Sequence, residues 1–428
     1  MSGTMDGGMD GTTNGARNGR DGAMDGTING TRNGTAPEER VAALLGEFEC
    51  IARSPSDQLN RVLQEGGKAV GVFPYYSPEE LVHAAGFVPF GIWGAQGTVR
   101  EAGRYFPAFY CTIARMGLEL ALTGVLDRLS GVVMPTLCDT LRPLSQNFKA
   151  AKPDLPMLFL AQPQNRRTDY GVAYYRSELV RMRAELAEMA GAPVTDESIA
   201  SSIAVYNASR AERRRFVRLA GCRSGFVSAQ ARSAVLKSAC FAEKSEHTAK
   251  LVLLNDCLDA LPADASEAGE SRPLRQSRPP CQKIVTSGIL ADSPDLLRIF
   301  DAQGLVIGAD DVAQESRSFL RDVPMPDACT GGDPLHALAQ GFAAQTDDSL
   351  LWEPELTHRA DHLLGLVKGC DARGVVFVMM QFCDPEELDY PQLKAALDEA
   401  GIPSIQVGFD QQMRDFGQAE TQLMSFAE

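Results

Sequence analysis

The chain has 428 residues, 44% of them hydrophobic and 23% charged, with a formal net charge of −15. That balance excludes a general basic surface for nucleic-acid phosphates, and no apolar stretch approaches the ~20 residues of a membrane-spanning helix. Ten cysteines in a chain without an export signal read as reduced thiols or ligands in a cytoplasmic protein, not as a disulfide framework.

Residues 1–37 are low in complexity, and MDGTTNGARNG from Met9 recurs as MDGTINGTRNG from Met24. Such Gly, Asn, Asp and Thr content cannot bury enough apolar area to offset the entropy of ordering, so a disordered tail is expected. A first α/β domain is expected over 38–167. It opens with a helix through Val41, Leu44, Leu45 and Phe48. Lys68–Phe73 reads as the first strand, Ser77-Pro78 as the N-cap and first position of the next helix, and Phe87–Trp93 as the second strand. The aromatic run Tyr105–Tyr110 ends at Cys111, where a helical pattern begins. Leu129–Met134 is a buried strand ending in Pro135-Thr136-Leu137-Cys138-Asp139, and Met157–Leu160 is another strand.

Residues 168–261 turn to long, charged, helical segments, in which Arg213-Arg214-Arg215 is expected to be a solvated helix face, with phosphate contact as the minority reading. Residues 262–282 form a polar linker. A second α/β domain is expected over 283–428, with the run Val375–Met380 as a strand buried on both faces. It stops at Cys383. Asp384-Pro385 then opens a helix, and Gly401-Ile402-Pro403 leads into a strand at Ile405–Val407. The fold class is therefore α/β, with two Rossmann- or flavodoxin-like parallel sheets and a helical segment between them.

Position sets three cysteines apart. Cys111 begins a helix, while Cys138 and Cys383 stand just past strand ends. Open α/β sheets place ligands at that edge, and thiolates there are stabilised by helix N-terminal N–H groups. Three soft thiolates suit zinc or an iron–sulfur cluster. There is no CxxC pair, so buried structural cysteines remain the alternative at this point, as they are the default for the other seven. His83 and His358 are read as surface or satisfied polar histidines.

The blocks GVFPYYSPEELVHAAGFVPFGIWG, YFPAFYCTIARMGLEL, LSGVVMPTLCDTLRPLSQNFK and FCDPEELDYPQLKAALDEAGIPSIQV resemble the 2-hydroxyacyl-CoA dehydratase family, including the related benzoyl-CoA reductase subunits. The resemblance implies a 4Fe–4S cluster held by three cysteines, here Cys111, Cys138 and Cys383, with one iron lacking a protein thiolate. It implies that water leaves an (R)-2-hydroxyacyl-CoA after one-electron reduction of the thioester to a ketyl radical. It also implies a paralogous partner subunit and an ATP-dependent iron–sulfur activator. This chain has no GxxxxGK[ST] loop, so the ATP step belongs to another protein. Some family members carry flavin, and FMN is therefore a further candidate cofactor.

Two positions depart from the family pattern. The substrate-holding subunit tends to carry a serine pair after the first strand, where this chain has Tyr75-Tyr76-Ser77, which leaves Ser77 as the candidate catalytic residue and an electron-relay role as an alternative. Gly408 stands where a glutamate is expected before Phe409-Asp410-Gln411-Gln412. If the three thiols serve one cluster, they must converge in a cleft between the two domains, with the Tyr75-Tyr76 turn and Ser77 on the same side.

Overall fold

The structure, a computed structural model, describes residues 36–73, 75–93, 95–264, 281–327, 331–351 and 357–428. The N-terminal repeat, most of the expected linker and Cys329 lie outside the described residues. Two helices, α1 (Pro37–Arg53) and α2 (Pro55–Gln64), precede β1 (Ala69–Val72), α3 (Glu79–Ala84) and β2 (Val88–Gly91). They are followed by α4 (Thr112–Leu122), β3 (Gly131–Pro135), α5 (Leu141–Ala151) and β4 (Met157–Leu160). The strands pair in parallel in the order β2-β1-β3-β4. Val132, Val133 and Met134 are fully buried, as an apolar run covered by helices on both faces requires.

The helical segment comprises α6 (Asp169–Ala190), α7 (Asp196–Gly221), α8 (Ala229–Ser238) and α9 (Lys244–Asp259). Thr168, Thr195 and Ser228 cap three of these by accepting backbone N–H groups with their hydroxyls, and Gly191 ends α6 with φ 72°. Val41, Leu45 and Phe48 of α1 share a core with Leu219, Leu251 and Leu254, so α1 packs into the helical layer.

The chain then repeats the first topology. It runs through β5 (Gln282–Gly288), α10 (Pro294–Ala302), β6 (Leu305–Val312), a π-helical turn (Ala313–Arg317), α11 (Pro334–Ala343) and α12 (Thr357–Cys370). It finishes with β7 (Gly374–Met380), α13 (Asp384–Glu399), β8 (Ser404–Phe409) and α14 (Gly417–Ala427). This sheet is also all-parallel, in the order β6-β5-β7-β8. In both sheets the first strand of the unit is central and its successors lie on either side. The strand order therefore reverses between β1 and β3, and again between β5 and β7, which are the places where open α/β sheets form ligand crevices. One core cluster runs through both, from Val132 and Met134 to Val376 and Met380. No described helix is long and apolar enough to cross a membrane.

Two local expectations are corrected. Ser77 does not cap the helix after β1: α3 begins at Glu79, Pro78 holds the capping position, and the Ser77 hydroxyl donates to the Phe73 carbonyl at 2.9 Å. The cause is the turn itself, since Tyr75 (φ 79°) and Tyr76 (φ 57°) are both left-handed and bring Ser77 back towards the strand. The Arg213–Arg215 run is not a uniformly solvated face. Arg213 is 9% exposed with its guanidinium 4.7 Å from the Phe319 ring centroid, because α7 is covered on that side by the segment after β6. Arg214 pairs with Asp322, and Arg215 with Asp256. The expectation for His83 fits its surroundings, with Nδ1 2.8 Å from Ser202 Oγ.

Candidate active site

The sequence places each of the three singled-out cysteines immediately before the first turn of a helix or at its entry. Cys111 holds the N-cap of α4 and Cys383 that of α13, while Cys138 lies in the turn between β3 and α5 and accepts the Leu141 N–H on its carbonyl. Two of the three follow a strand that ends at a switch point, β3 or β7. The consequence is convergence: Cys111, Cys138 and Cys383 line one cavity together with Tyr75, Trp93 and Met380. Ile289, just past β5, and Leu350 complete its apolar wall. Thus residues beyond the carboxyl ends of β1, β3, β5 and β7 all meet there. Ser77 does not line this cavity, although Tyr75 of the same turn does.

The backbone is organised towards sulfur. Neither Cys111 nor Cys383 makes a side-chain capping hydrogen bond, but the nearby amides of Ala114 and Ile113 favour the Cys111 thiolate, those of Leu141 and Thr140 that of Cys138, and that of Glu386 that of Cys383. Burial pushes the Cys111 thiol up to about 12 despite these donors, and it also raises Cys138. Cys383 is raised well above the ordinary thiol range by burial, then by the Glu386 carboxylate and by the other two sulfurs. Without a compensating positive centre the three remain neutral thiols; a soft, multiply charged group would deprotonate them and use every amide donor.

A buried ionic network lies beneath Cys383. Glu386 accepts from Arg317 Nη1 at 2.7 Å, Arg359 Nη2 at 2.9 Å and Ser349 Oγ at 2.6 Å. Arg317 also reaches Asp311 at 2.8 Å, and Arg359 reaches Asp389 at 2.7 Å. Tyr75 and Tyr76, stacked with ring centroids 4.7 Å apart, both donate to Asp348 Oδ2. On the opposite side the turn after β8 closes onto the first sheet. Gln411 donates through Nε2 to the Trp93 carbonyl at 2.9 Å and through its backbone N–H to Thr112 Oγ1 at 3.2 Å. The polar role at this turn is therefore carried by Gln411, three residues past Gly408. Sequence reasoning missed Thr112, Arg317, Asp348, Glu386 and Gln411. The sole local signal was at Glu386, an acidic residue in the first turn of α13.

A second, larger cavity of about 740 Å³ shares Cys138, Thr140 and Asp384 with the first. Its walls carry Asp139, Asp347, Asp348 and Asp389, and its Arg359 is already engaged by carboxylates.

Residues 74–428, which carry every strand after β1 and all three cysteines, match the 2-hydroxyglutaryl-CoA dehydratase, D-component family. The chain belongs to that family. It is 44% identical over 392 residues to (R)-2-hydroxyglutaryl-CoA dehydratase subunit beta of Acidaminococcus fermentans, covering 91% of this chain and 99% of the relative. It is 36% identical to the (R)-phenyllactyl-CoA dehydratase beta subunit of Clostridium sporogenes, over 89% and 97% of the two chains. It is 28% identical to a benzoyl-CoA reductase subunit of Thauera aromatica, over 84% and 90%. This dehydratase-family chain therefore matches these relatives along almost their whole lengths, and its fold is α/β with two parallel sheets.

Among the described residues no group of three His, Cys, Asp or Glu side chains is arranged to hold a metal ion. Three thiols around one cavity are a soft donor set, and Cys111, Cys138 and Cys383 are the residues that could hold a thiophilic group there.

Proposed function

We infer that this chain is the iron–sulfur subunit of a cytoplasmic 2-hydroxyacyl-CoA dehydratase, removing water from an (R)-2-hydroxyacyl-CoA to give the enoyl-CoA. The observation that carries the reading is the meeting of Cys111, Cys138 and Cys383 in one cavity at the carboxyl ends of both sheets. The dehydratase beta subunits among its relatives supply the reaction class. The greater identity to them than to the benzoyl-CoA reductase subunit favours dehydration over aromatic reduction.

A 4Fe–4S cluster, which Cys111, Cys138 and Cys383 would hold, would supply single-electron transfer and Lewis-acid chemistry for the dehydration. The residues of the chain prepare the place for it. Cys111 and Cys383 stand at the N-termini of α4 and α13 and Cys138 shortly before α5, where the positive helix ends favour thiolate. Tyr75, Trp93, Ile289, Leu350 and Met380 keep water away from it. Glu386 holds the first turn of α13, and with it Cys383, against Arg317 and Arg359.

The electron-relay reading has its own support. Ser77 is turned to the Phe73 carbonyl, and the larger neighbouring cavity is walled by carboxylates that repel the phosphates of CoA. In that reading the paralogous subunit holds the thioester, and this chain passes an electron from the ATP-dependent activator.

The test is anaerobic reconstitution followed by iron and sulfide analysis and absorbance near the 400 nm region typical of iron–sulfur charge transfer. Flavin in the same preparation checks for FMN. Turnover of 2-hydroxyglutaryl-CoA and benzoyl-CoA is then measured with the paralogous subunit and activator present. Colourless, iron-free protein overturns the proposal. Loss of acyl-CoA affinity in Ser77→Ala separates direct catalysis from relay.

A further inference from the structure

A groove of about 290 Å³ lies away from the cysteine cavity, between α7 and α12 over the edge strand β6. On α7, Arg214, Val217 and Arg218 line it at spacings of three and four residues, which is one helix face. On α12, His362, Gly365, Leu366 and Gly369 do the same. Its floor is Gly308, Ala309 and Asp310 of β6, and Phe319 and Leu320 close one end.

The groove is open for a structural reason. Gly221 of α7 approaches Gly308 so closely that a Cβ would stand 2.4 Å from the Gly308 carbonyl oxygen, which anchors the end of α7 on the strand. On the facing helix a Cβ added at Gly365 or Gly369 meets nothing within 4 Å. Space therefore lies over α12 rather than packed side chains.

The charged groups around this space divide into engaged and free. Asp310 is taken by Arg232 and by the Ser316 hydroxyl and amide. Arg317 is held by Asp311 and Glu386, and Arg214 by the Phe319 carbonyl and Asp322. Arg218 is exposed and makes no hydrogen bond or ion pair among the described residues, and the half-buried His362 makes no hydrogen bond among them. A cation without a partner and an imidazole thus border an apolar trough.

We propose that this groove binds an amphipathic organic anion, its apolar body lying over Gly365, Leu366 and Val217 and its carboxylate or phosphate meeting Arg218 and His362. The groove is separate from the cysteine cavity, although Arg317 at its wall and Asp311, which His362 faces, belong to the ionic network beneath Cys383, and the proposal does not rest on the dehydration reading.

The full-length chain, titrated with 1-anilinonaphthalene-8-sulfonate as the probe, is expected to bind one equivalent saturably. Phenylacetate or phenyl phosphate should displace the dye, the better of the two identifying the head group, whereas inorganic phosphate and benzyl alcohol should not. Arg218→Glu, at an exposed residue, should weaken dye binding roughly tenfold or more, as loss of one charge-assisted contact does. Gly365→Leu should fill the trough and abolish binding, with Leu favouring the helix more than Gly does. Melting curves matching the parent show that either variant is folded. Absence of saturable binding, unchanged affinity in folded Arg218→Glu, or equal displacement by phosphate alone or benzyl alcohol overturns the proposal.

Discussion

Tyr75, at the carboxyl end of β1, donates a 2.6 Å hydrogen bond to Asp348 Oδ2 across a sequence separation of 273 residues. Tyr76 shares the same oxygen at 3.1 Å, and Asp348 Oδ1 accepts the Leu350 N–H at 2.8 Å. A single buried carboxylate thereby fixes two left-handed tyrosines and ties a turn of the first sheet to the second half of the chain.

Asp348→Ala is expected to cost about 2–4 kcal/mol, since it strands one buried and one half-buried phenol and releases a strained turn. Tyr76→Phe, which removes the longer bond alone, should cost about 1 kcal/mol. Denaturant melts of the two single variants and of the pair measure both effects. Additive losses would show that Asp348 and Tyr76 do not act together.

Acid should unfold the protein in two windows. Burial, with Lys244 and Arg213 nearby, lowers His247 to about 3, so it is neutral in the folded chain and protonates on unfolding. Its contribution is present above about pH 6.5 and is lost as pH falls towards 3. Burial would raise Glu386, but Arg317 and Arg359 prevail and hold it at about 2, so its contribution is lost between about pH 4.5 and 2. A pH series of melting temperatures in His247→Phe should be flatter in the upper window. Glu386→Gln should flatten the lower window and also cost about 3–5 kcal/mol at neutral pH, because two buried arginines lose their carboxylate.

Replacing Cys111, Cys138 or Cys383 singly by Ser is expected to lower reconstituted iron to less than about half of the parent value, since thiolate is the softer donor. Cys50→Ser, at an exposed site on α1, should leave iron unchanged. Iron analysis of anaerobically reconstituted variants checks this without a turnover assay. Equal iron in all four variants contradicts the ligand assignment.

Gly221→Ala should destabilise the chain by about 1–3 kcal/mol, because the new methyl would overlap the Gly308 carbonyl and force α7 off β6. Gly46→Ala, where a Cβ meets nothing within 4 Å inside α1, should instead be neutral or stabilising by up to about 1 kcal/mol. Thermal melts of the two variants give the contrast.

Much of the fold is local in origin and legible in the chain. The run Val375–Met380 appears as β7, Asp384-Pro385 starts α13, and Met157–Leu160 is β4 residue for residue. Cys111 and Cys383 stand at helix N-caps, as the pattern of apolar runs and helix starts requires. Ser77 departs from its expected place because Ser-Pro is a sound capping signal in isolation, and nothing nearby announces two consecutive left-handed tyrosines. Arg213 departs from its expected exposure because a charged triplet on a helix carries no mark of what will cover it.

Two parallel sheets, their connecting helices and three cysteines at element ends follow from the order of residues, because strand and helix signals depend on neighbours within a few positions. That those cysteines share one cavity, that Asp348 holds Tyr75, and that Glu386 joins Arg317 and Arg359 beneath Cys383 follow from packing alone. These contacts link segments tens to hundreds of residues apart, whose side chains meet only after both switch points have been wound. A contact between distant segments leaves no periodicity in the chain, so its partners become visible only once the sheets and helices have come together.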